Sequence, residues 1–405
     1  EEFPKKTIEL KEKLNKGKYM SIDKDVYQLS KNYEALKALT TTTNNIEINI
    51  DKAVNIISIA PSRFGGLDML IPLFFALKNN NDINISQYFF SHKVYKDLEK
   101  DEFLYKTWTN VVDKKYIIRS RSLTYLIKFL LNIQIALLIV ISSKTILLTD
   151  NKISSKKLKI FNFLLKLKGG YSLIHPSLLT IDNDYSKSVE GSKKIKFVTT
   201  NDEKNVIEIG YTKLYDIWEN HIKNFTDNDE YFKSLKEEKI ITIFLPSYVK
   251  GIFNKEELIT WLEDVLSEIS DKEPEAKILL KPHPMLNVNV ISGTLKTFEN
   301  LKIFVTYYNA GILSEAADFV ITHHSSIIID SMSLNTPTIL HMIFTKQWLK
   351  RHPDGSKFLP LKPILTSTKD ELGKAIVSVK FKTGVKKDMR KILNHKDNFE
   401  KILDG

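Results

Sequence analysis

Two mostly apolar, β-branched runs frame this 405-residue chain: Val54 to Ala60 (VNIISIA) and Ile240 to Leu245 (IITIFL). A strand with one wet face alternates polar and apolar residues, so a run with apolar residues at adjacent positions reads as a strand buried on both faces. Each run opens a series of short apolar strands separated by helical segments. The first is followed by helices at 67–78 and 92–100 and by strands at 83–90, 116–119, 136–141, 145–149, 172–175 and 196–199. The second is followed by helices at 256–269 and 326–334 and by strands at 277–281, 303–306, 317–322 and 338–341. Repeated strand–helix units predict a parallel sheet covered by helices on both faces, here twice over. The length also suits two separate cores.

The expected layout is a helical segment at 1–45, with helices at 5–14 and 25–39, then α/β domains at 46–225 and 239–365, then Lys-rich helices at 366–405. The boundary is set in the charged stretch from Phe225 to Lys239, which shows no apolar period. The longest mostly apolar stretch, Leu123 to Ile141, contains Lys128, Asn132 and Gln134. Three polar residues inside a span are unfavourable, so a helix to about Asn132 followed by a strand is expected rather than a membrane crossing.

Lys and Arg exceed Asp and Glu by 60 to 49, a formal net charge of +11. That excess suits anionic partners such as nucleotide pyrophosphates or acidic membrane surfaces, although a Lys- and Asn-rich composition alone would look the same. The basic residues are scattered, and no Arg-rich stripe with interleaved aromatics appears, so nucleic acid is not expected. The chain has no cysteine, which excludes disulfides, thiolate metal sites and Cys nucleophiles.

Ligands of open parallel sheets bind beyond the carboxyl ends of the strands, and four loops there carry unusual residues. In Pro61 to Gly66 (PSRFGG), Arg63 supplies a cation, and Gly65 and Gly66 allow close backbone approach to an anion at the following helix start. In SLIHP, His175 ends a short strand, where an imidazole can take a proton from a hydroxyl; an ordinary loop histidine would sit there too. In LLKPHP, Lys281 ends a buried strand and His283 is held between two prolines that stiffen the loop. The last loop, ADFVITHHSSIIIDSMSLNTPTIL, places His323, His324, Ser325 and Ser326 at a turn into a helix. Serines at a helix start cap free N–H groups or offer hydroxyls to a ligand oxygen, and the helix end favours a diphosphate. Asp330 lies one turn further on and could position a hydroxyl. Adjacent histidines point apart, and no HExxH or spaced carboxylate set exists, so no metal is expected. The absence of a GxSxG elbow argues against a Ser-His-Asp hydrolase.

The order of these elements resembles the CDP-glycerol glycerophosphotransferase family, of the teichoic-acid polymerase type. The likeness runs through His175 at a strand end, Gly210, Tyr211 and Asp216 in VIEIGYTKLYD, Pro246 and Ser247 in IFLPSY, His283-Pro284, and Ser325, Ser326, Asp330 and Pro337. It covers roughly residues 170–345. Three departures stand out: Pro176 follows His175, Thr212-Lys213 stands for Pro-Arg, and His323-His324 for Asp-Tyr.

The resemblance implies a GT-B α/β fold, with two Rossmann-like domains facing across a cleft: the acceptor side at 46–225 and the nucleotide-donor side at 239–365. It implies a transferase of bacterial surface or capsular polymer synthesis, moving glycerol phosphate or a sugar to a glycan or polyol-phosphate hydroxyl. The donor would be a cytidine diphosphate or monophosphate conjugate, with no tightly bound cofactor. His175 would be the general base and His283 would stabilise the leaving nucleotide. Lys281, Ser247, His324, Ser325, Ser326 and Asp330 would hold the donor, and Arg63, Gly65 and Gly66 would form an acceptor or phosphate loop. Work at the inner face of a membrane follows, with Lys-rich helices at 153–168 and 385–403 docking on acidic lipid. Bacterial sialyl- and polysialyltransferases, which use CMP-sialic acid, look similar through a His-Pro motif and a Ser-Ser pair, and the choice between the two stays open. A UDP-sugar 2-epimerase-like isomerase and a non-enzymatic membrane-bound scaffold are the remaining alternatives.

Overall fold

The computed structural model describes residues 54–61, 64–78, 83–118, 124–142, 144–150, 160–161, 163–165, 167, 171–175, 193–196, 206–208, 212–235, 237–246, 254–284, 286–323, 325, 327–342 and 364–379. The expected helices at 5–14, 25–39 and 385–403 lie outside these residues.

Thirteen strands form two sheets among the described residues, and every pairing is parallel. The first contains β1 (Val54–Ile59), β2 (Ile83–Phe89), β3 (Lys114–Ile117), β4 (Thr145–Asp150), β5 (Tyr171–His175), β6 (Lys193–Lys196) and β7 (Val206–Glu208), in the order β3-β2-β1-β4-β5-β6-β7. The second contains β8 (Ile240–Phe244), β9 (Lys277–Lys281), β10 (Lys302–Val305), β11 (Phe319–Thr322), β12 (Thr338–His341) and β13 (Ile364–Thr366), in the order β10-β9-β8-β11-β12-β13. The two mostly apolar runs are β1 and β8, and β8 is buried at all five positions. Each stands at the point where strand order reverses, beside β4 and β11 respectively. Crevices open at such switch points.

Eleven helices are described in full: α1 (Phe64–Lys78), α2 (His92–Glu99), α3 (Glu102–Val111), α4 (Thr124–Ile141), α5 (Asp216–Asn228), α6 (Glu230–Ser234), α7 (Lys255–Lys272), α8 (Ser292–Thr297), α9 (Ala310–Ala316), α10 (Ile327–Ser333) and α11 (Lys369–Ser378). The result is a two-domain α/β fold of the GT-B type. α7 starts with a capping box, in which Asn254 and Glu257 exchange side-chain and backbone bonds. α10 stops where Asn335 turns to φ 61°, and Thr336 N–H donates to Ser331 C=O at 2.9 Å, closing the last turn. Asn tolerates the left-handed conformation better than other residues with a Cβ.

One core joins both halves. Leu67 and Phe74 of α1, Trp108 of α3, Trp218 and Ile222 of α5, Phe244 of β8, Leu313 of α9 and Ile328 of α10 belong to a single buried cluster. A second covers the other face of the second sheet, under α7 and α11. A third covers the other face of the first sheet.

Two expectations are corrected. Residues 136–141 are not a strand: α4 runs through them as one helix. Its polar residues find local partners, Asn132 donating to Lys128 C=O and Gln134 to the Tyr116 hydroxyl at 2.9 Å, so they do not break the helix. The stretch from Phe225 to Lys239 is not featureless. It holds the end of α5 and all of α6, with Phe232 and Leu235 buried. Asp229 hides both signals, because it ends α5 and caps α6 by accepting from Tyr231 N–H at 3.0 Å and Phe232 N–H at 3.3 Å. Among the described residues no helix is long and apolar enough to cross a membrane.

Candidate functional site

Both switch points deliver charged side chains toward the junction of the two halves. Asp68 sits in the first turns of α1, just past β1, and Asp330 sits in α10, just past β11. Between them comes Lys213, from a single 3-10 turn at Thr212–Leu214. The Thr212 hydroxyl donates to Met69 C=O at 2.8 Å and ties this turn to α1. Lys213 Nζ donates to Asp68 Oδ2 and, at 3.0 Å, to Asp330 Oδ2. The Lys213 and Asp330 side chains are each only 6% exposed. Burial disfavours the Lys213 ammonium, but Asp330 and Asp68 outweigh it, so its pKa is raised and the charge is locked on.

A second polar link lies beside the first. Asp101 caps α3 by accepting from Leu104 N–H at 3.1 Å, and Asn309 caps α9 by accepting from Gly311 N–H at 2.9 Å. Asn309 Nδ2 donates to Asp101 Oδ2 at 3.1 Å, so a helix cap from each half meets the other in a buried position. Burial pushes the Asp101 carboxyl up to about 6, although Lys281 and the bonds from Leu104 and Asn309 pull the other way. Lys281, at the end of β9, donates to Tyr307 C=O at 3.2 Å and to Tyr308 C=O. Burial holds Lys281 below the ordinary lysine value against the pull of Asp101 and Asp68. Displaced pKa values of this kind occur both at functional sites and in buried ion-pair networks.

The other expected residues fall as follows. His283 follows β9, is part-buried, and has its pKa lowered by burial, so the imidazole is neutral at neutral pH. His175 is the last residue of β5, next to β4 in the sheet, and its side chain lies outside the described residues. Gly65 stands in open space and Gly66 is buried in α1. The Ser325 hydroxyl accepts from Ile327 N–H at 3.4 Å, as a local cap of α10. Arg63, Ser247, His324 and Ser326 lie outside the described residues. β5 lies beyond β4 and β9 beyond β8, each one strand away from the switch point of its sheet but on opposite sides of it.

Three other histidines are core groups. His323 is buried edge-on to Trp261, with ring centres 6.3 Å apart at 86°. His341 is fully buried, shares a hydrogen bond with Thr366 at 2.9 Å, and is lowered to about 4 by burial. Trp261 Nε1–H donates to His341 C=O at 2.9 Å, so one α7 residue braces the ends of β11 and β12. His221 stacks on Phe75 at 4.1 Å, pairs with the Thr107 hydroxyl at 2.8 Å, and is also lowered to about 4 by burial. Among the described residues no cluster of His, Asp or Glu could hold a metal ion.

Sequence reasoning missed Asp68, Asp101, Lys213 as a site residue, and Asn309. The available signal was that an Asp one turn beyond a strand-end loop is unusual inside the apolar helix FGGLDMLIPLFFALK. Lys213 carried a second, since it stands where the resembled family has Arg.

Residues 180–405, more than half of the chain, match the family model described as CDP-Glycerol:Poly(glycerophosphate) glycerophosphotransferase. The chain belongs to that family. No curated protein matches it closely enough to count as a relative. Among solved structures this family member is similar to the UDP-GlcNAc 2-epimerase from Methanocaldococcus jannaschii, with a TM-score of 0.53, 15% identity, 87% of this chain covered and 99% of that one. It is also similar to the UDP-GlcNAc 2-epimerase from Neisseria meningitidis bound to UDP-GlcNAc, with a TM-score of 0.51, 14% identity, 87% of this chain covered and 98% of that one. These likenesses establish the fold of the glycerophosphotransferase-family chain over nearly its whole sheet-bearing length. They also correct the expected cytidine-nucleotide donor, since the nucleotide in these structural relatives is uridine diphosphate. The cytidine was carried over with the family resemblance, not read from any residue. Cytosine and uracil differ at one edge of the ring, and the strand-end motifs concern the phosphates.

Proposed function

We propose that this chain binds a UDP-activated sugar between its two sheets and transfers the sugar to a hydroxyl of a glycan or polyol-phosphate acceptor presented at the inner face of a membrane. The observation that carries this reading is that Lys281 ends β9, one strand from the switch point of the second sheet, beside the junction where Lys213 ties Asp68 of one half to Asp330 of the other. An anionic diphosphate needs a cation such as Lys281 near it, and the parallel sheets aim their strand ends at the crevice where it would lie. Membership of a transferase family supports group transfer as the reaction class.

In this reading His175 takes the proton from the acceptor hydroxyl, whose oxygen forms a bond to the anomeric carbon. The bond from that carbon to the diphosphate breaks, and UDP leaves with the electron pair. Lys281 has three donor hydrogens, two of them directed at the carbonyls of Tyr307 and Tyr308, and its charge faces the developing negative charge. His283, neutral at pH 7, donates an N–H to the leaving oxygen. Ser325, Ser326, His324 and Ser247 line the donor side, and Arg63, Gly65 and Gly66 the acceptor side. Asp330 acts through Lys213, holding the two sides in register.

A second reading, isomerisation of a UDP-sugar at C2, is favoured by the match to nearly all of the Methanocaldococcus jannaschii epimerase. The two separate in one assay. The chain is incubated with UDP-sugars, with and without membrane extract as acceptor, and products are resolved by chromatography. Transfer requires UDP release that depends on acceptor and falls about 100- to 1,000-fold in His283→Ala, the usual effect of losing one such stabilising donor. An epimeric UDP-sugar formed without acceptor would establish the second reading instead.

A further inference from the structure

The third core cluster shows what faces away from it. Ile135 and Ile139 of α4 and Phe161 and Leu165, among the helical residues 160, 161, 163–165 and 167, bury against Ile57, Ile59, Tyr88 and Leu147 of the first sheet. The two helical stretches therefore lie on the same sheet face. Their outward sides are not polar. Leu126, Phe129 and Leu137 of α4 are 47%, 61% and 54% exposed, and Ile160, Phe163 and Leu167 are 58%, 61% and 67% exposed. Steps of three, four, seven or eight residues keep each set on one side of its helix, opposite the buried residues. Nine of the fourteen large hydrophobics exposed among the described residues belong to these two stretches, so the patch is local rather than the ordinary scatter of surface apolar groups.

Charge is concentrated in the same stretch of sequence. Between Lys114 and Lys168 the sequence has twelve Lys and Arg and a single acid, Asp150. The local net is +11, equal to the net charge of the whole chain, so the remaining residues sum to neutrality. An apolar helix face within a cationic, acid-poor segment complements one surface, an anionic lipid bilayer, with the side chains entering the interface and the cations meeting headgroups. α4 itself does not meet the requirement for a span, so it would lie on the membrane and not through it.

We propose that the outward face of α4 and of residues 160–167 is a membrane-docking surface for anionic lipid. This deepens the proposed function by naming where the enzyme meets the membrane that presents its acceptor, and it rests on that reading only for the presence of such an acceptor. A second copy of the chain or a protein partner would be selected by shape; neither accounts for the collected charge.

The test uses the full chain and vesicle flotation with phosphatidylcholine alone or with 30% phosphatidylserine. The expected result is at least tenfold stronger binding to the anionic vesicles, lost at 0.5 M NaCl. The triple variant F129S/L137S/F163S should weaken binding at least tenfold with an unchanged melting temperature. As an independent check on folded protein, a Leu137→Trp variant should have its fluorescence quenched by brominated anionic lipid. Equal binding to both vesicle types, no quenching, or a concentration-dependent dimer abolished by the triple variant would overturn the proposal. Failure here leaves UDP binding unaffected, and failure of UDP binding leaves flotation unaffected, so the two readings fall separately.

Discussion

Lys213 shows how one buried charge can join two halves of a molecule. Taking an ammonium and two carboxylates out of water is costly, and the triad persists only because each charge has its partner. Removing the cation leaves Asp68 and Asp330 facing each other in a site nearly closed to water. Lys213→Met is therefore expected to cost about 3–5 kcal/mol of stability, as breaking a buried pair usually does. Urea denaturation of the variant beside the wild type measures it, and a loss under about 1 kcal/mol would mean that water enters the site. The sequence pointed at Asp330 as a site residue but not at its partner. A salt bridge that closes over a separation of 117 residues leaves no periodic trace in either local segment.

At the scale of elements, helix ends do the joining: the caps of α3 and α9 meet through Asp101 and Asn309. Asp101 titrates at about 6 in the folded chain, against an ordinary value of 3.8. Between those values the folded state holds a proton that the unfolded state has lost, so this group's contribution to stability falls as pH rises from about 4 to 6. His221 and His341 act in the opposite sense. Both are lowered to about 4 from 6.5, so the unfolded state binds more protons, and their contribution rises with pH across 4 to 6.5. Asp101→Asn removes the opposing slope. Its urea midpoint should therefore climb more steeply than that of the wild type between pH 4.5 and 6.5, and parallel curves would contradict the assignment. The elements themselves were largely legible. β1, β4, β8, β9 and β12 follow short, mostly apolar runs of strand length, and α7 and α10 follow caps written in the sequence. The failures have physical causes. α4 is apolar on both its buried and its outward sides, so its later half carries no helical period and reads as a strand. α5 intersperses Asp, Glu, Asn and Lys among its apolar residues, and even its Glu219 is buried beside Trp218 and Ile222, so its apolar period is hard to see in the sequence.

For the molecule as a whole, the arrangement of two parallel sheets was foreseeable because each half begins with its own largely buried strand. What those strands bring together was visible only in part. His175, Lys281, His283 and Ser325 each stand at a strand end or the loop beyond it, so their place in the fold could be inferred from where the apolar runs stop. Asp68, Asp101 and Asn309 act from helix starts and meet across the junction, which no local pattern encodes. Donor identity was the least legible, because the base is read by contacts that no strand-end motif specifies. The most direct measurement is calorimetric titration of UDP into the wild type and into Lys281→Met. Saturable binding of UDP that weakens at least tenfold when the Lys281 charge is removed is the predicted result. Absence of UDP binding, or equal affinity in both proteins, would contradict a diphosphate site at these strand ends.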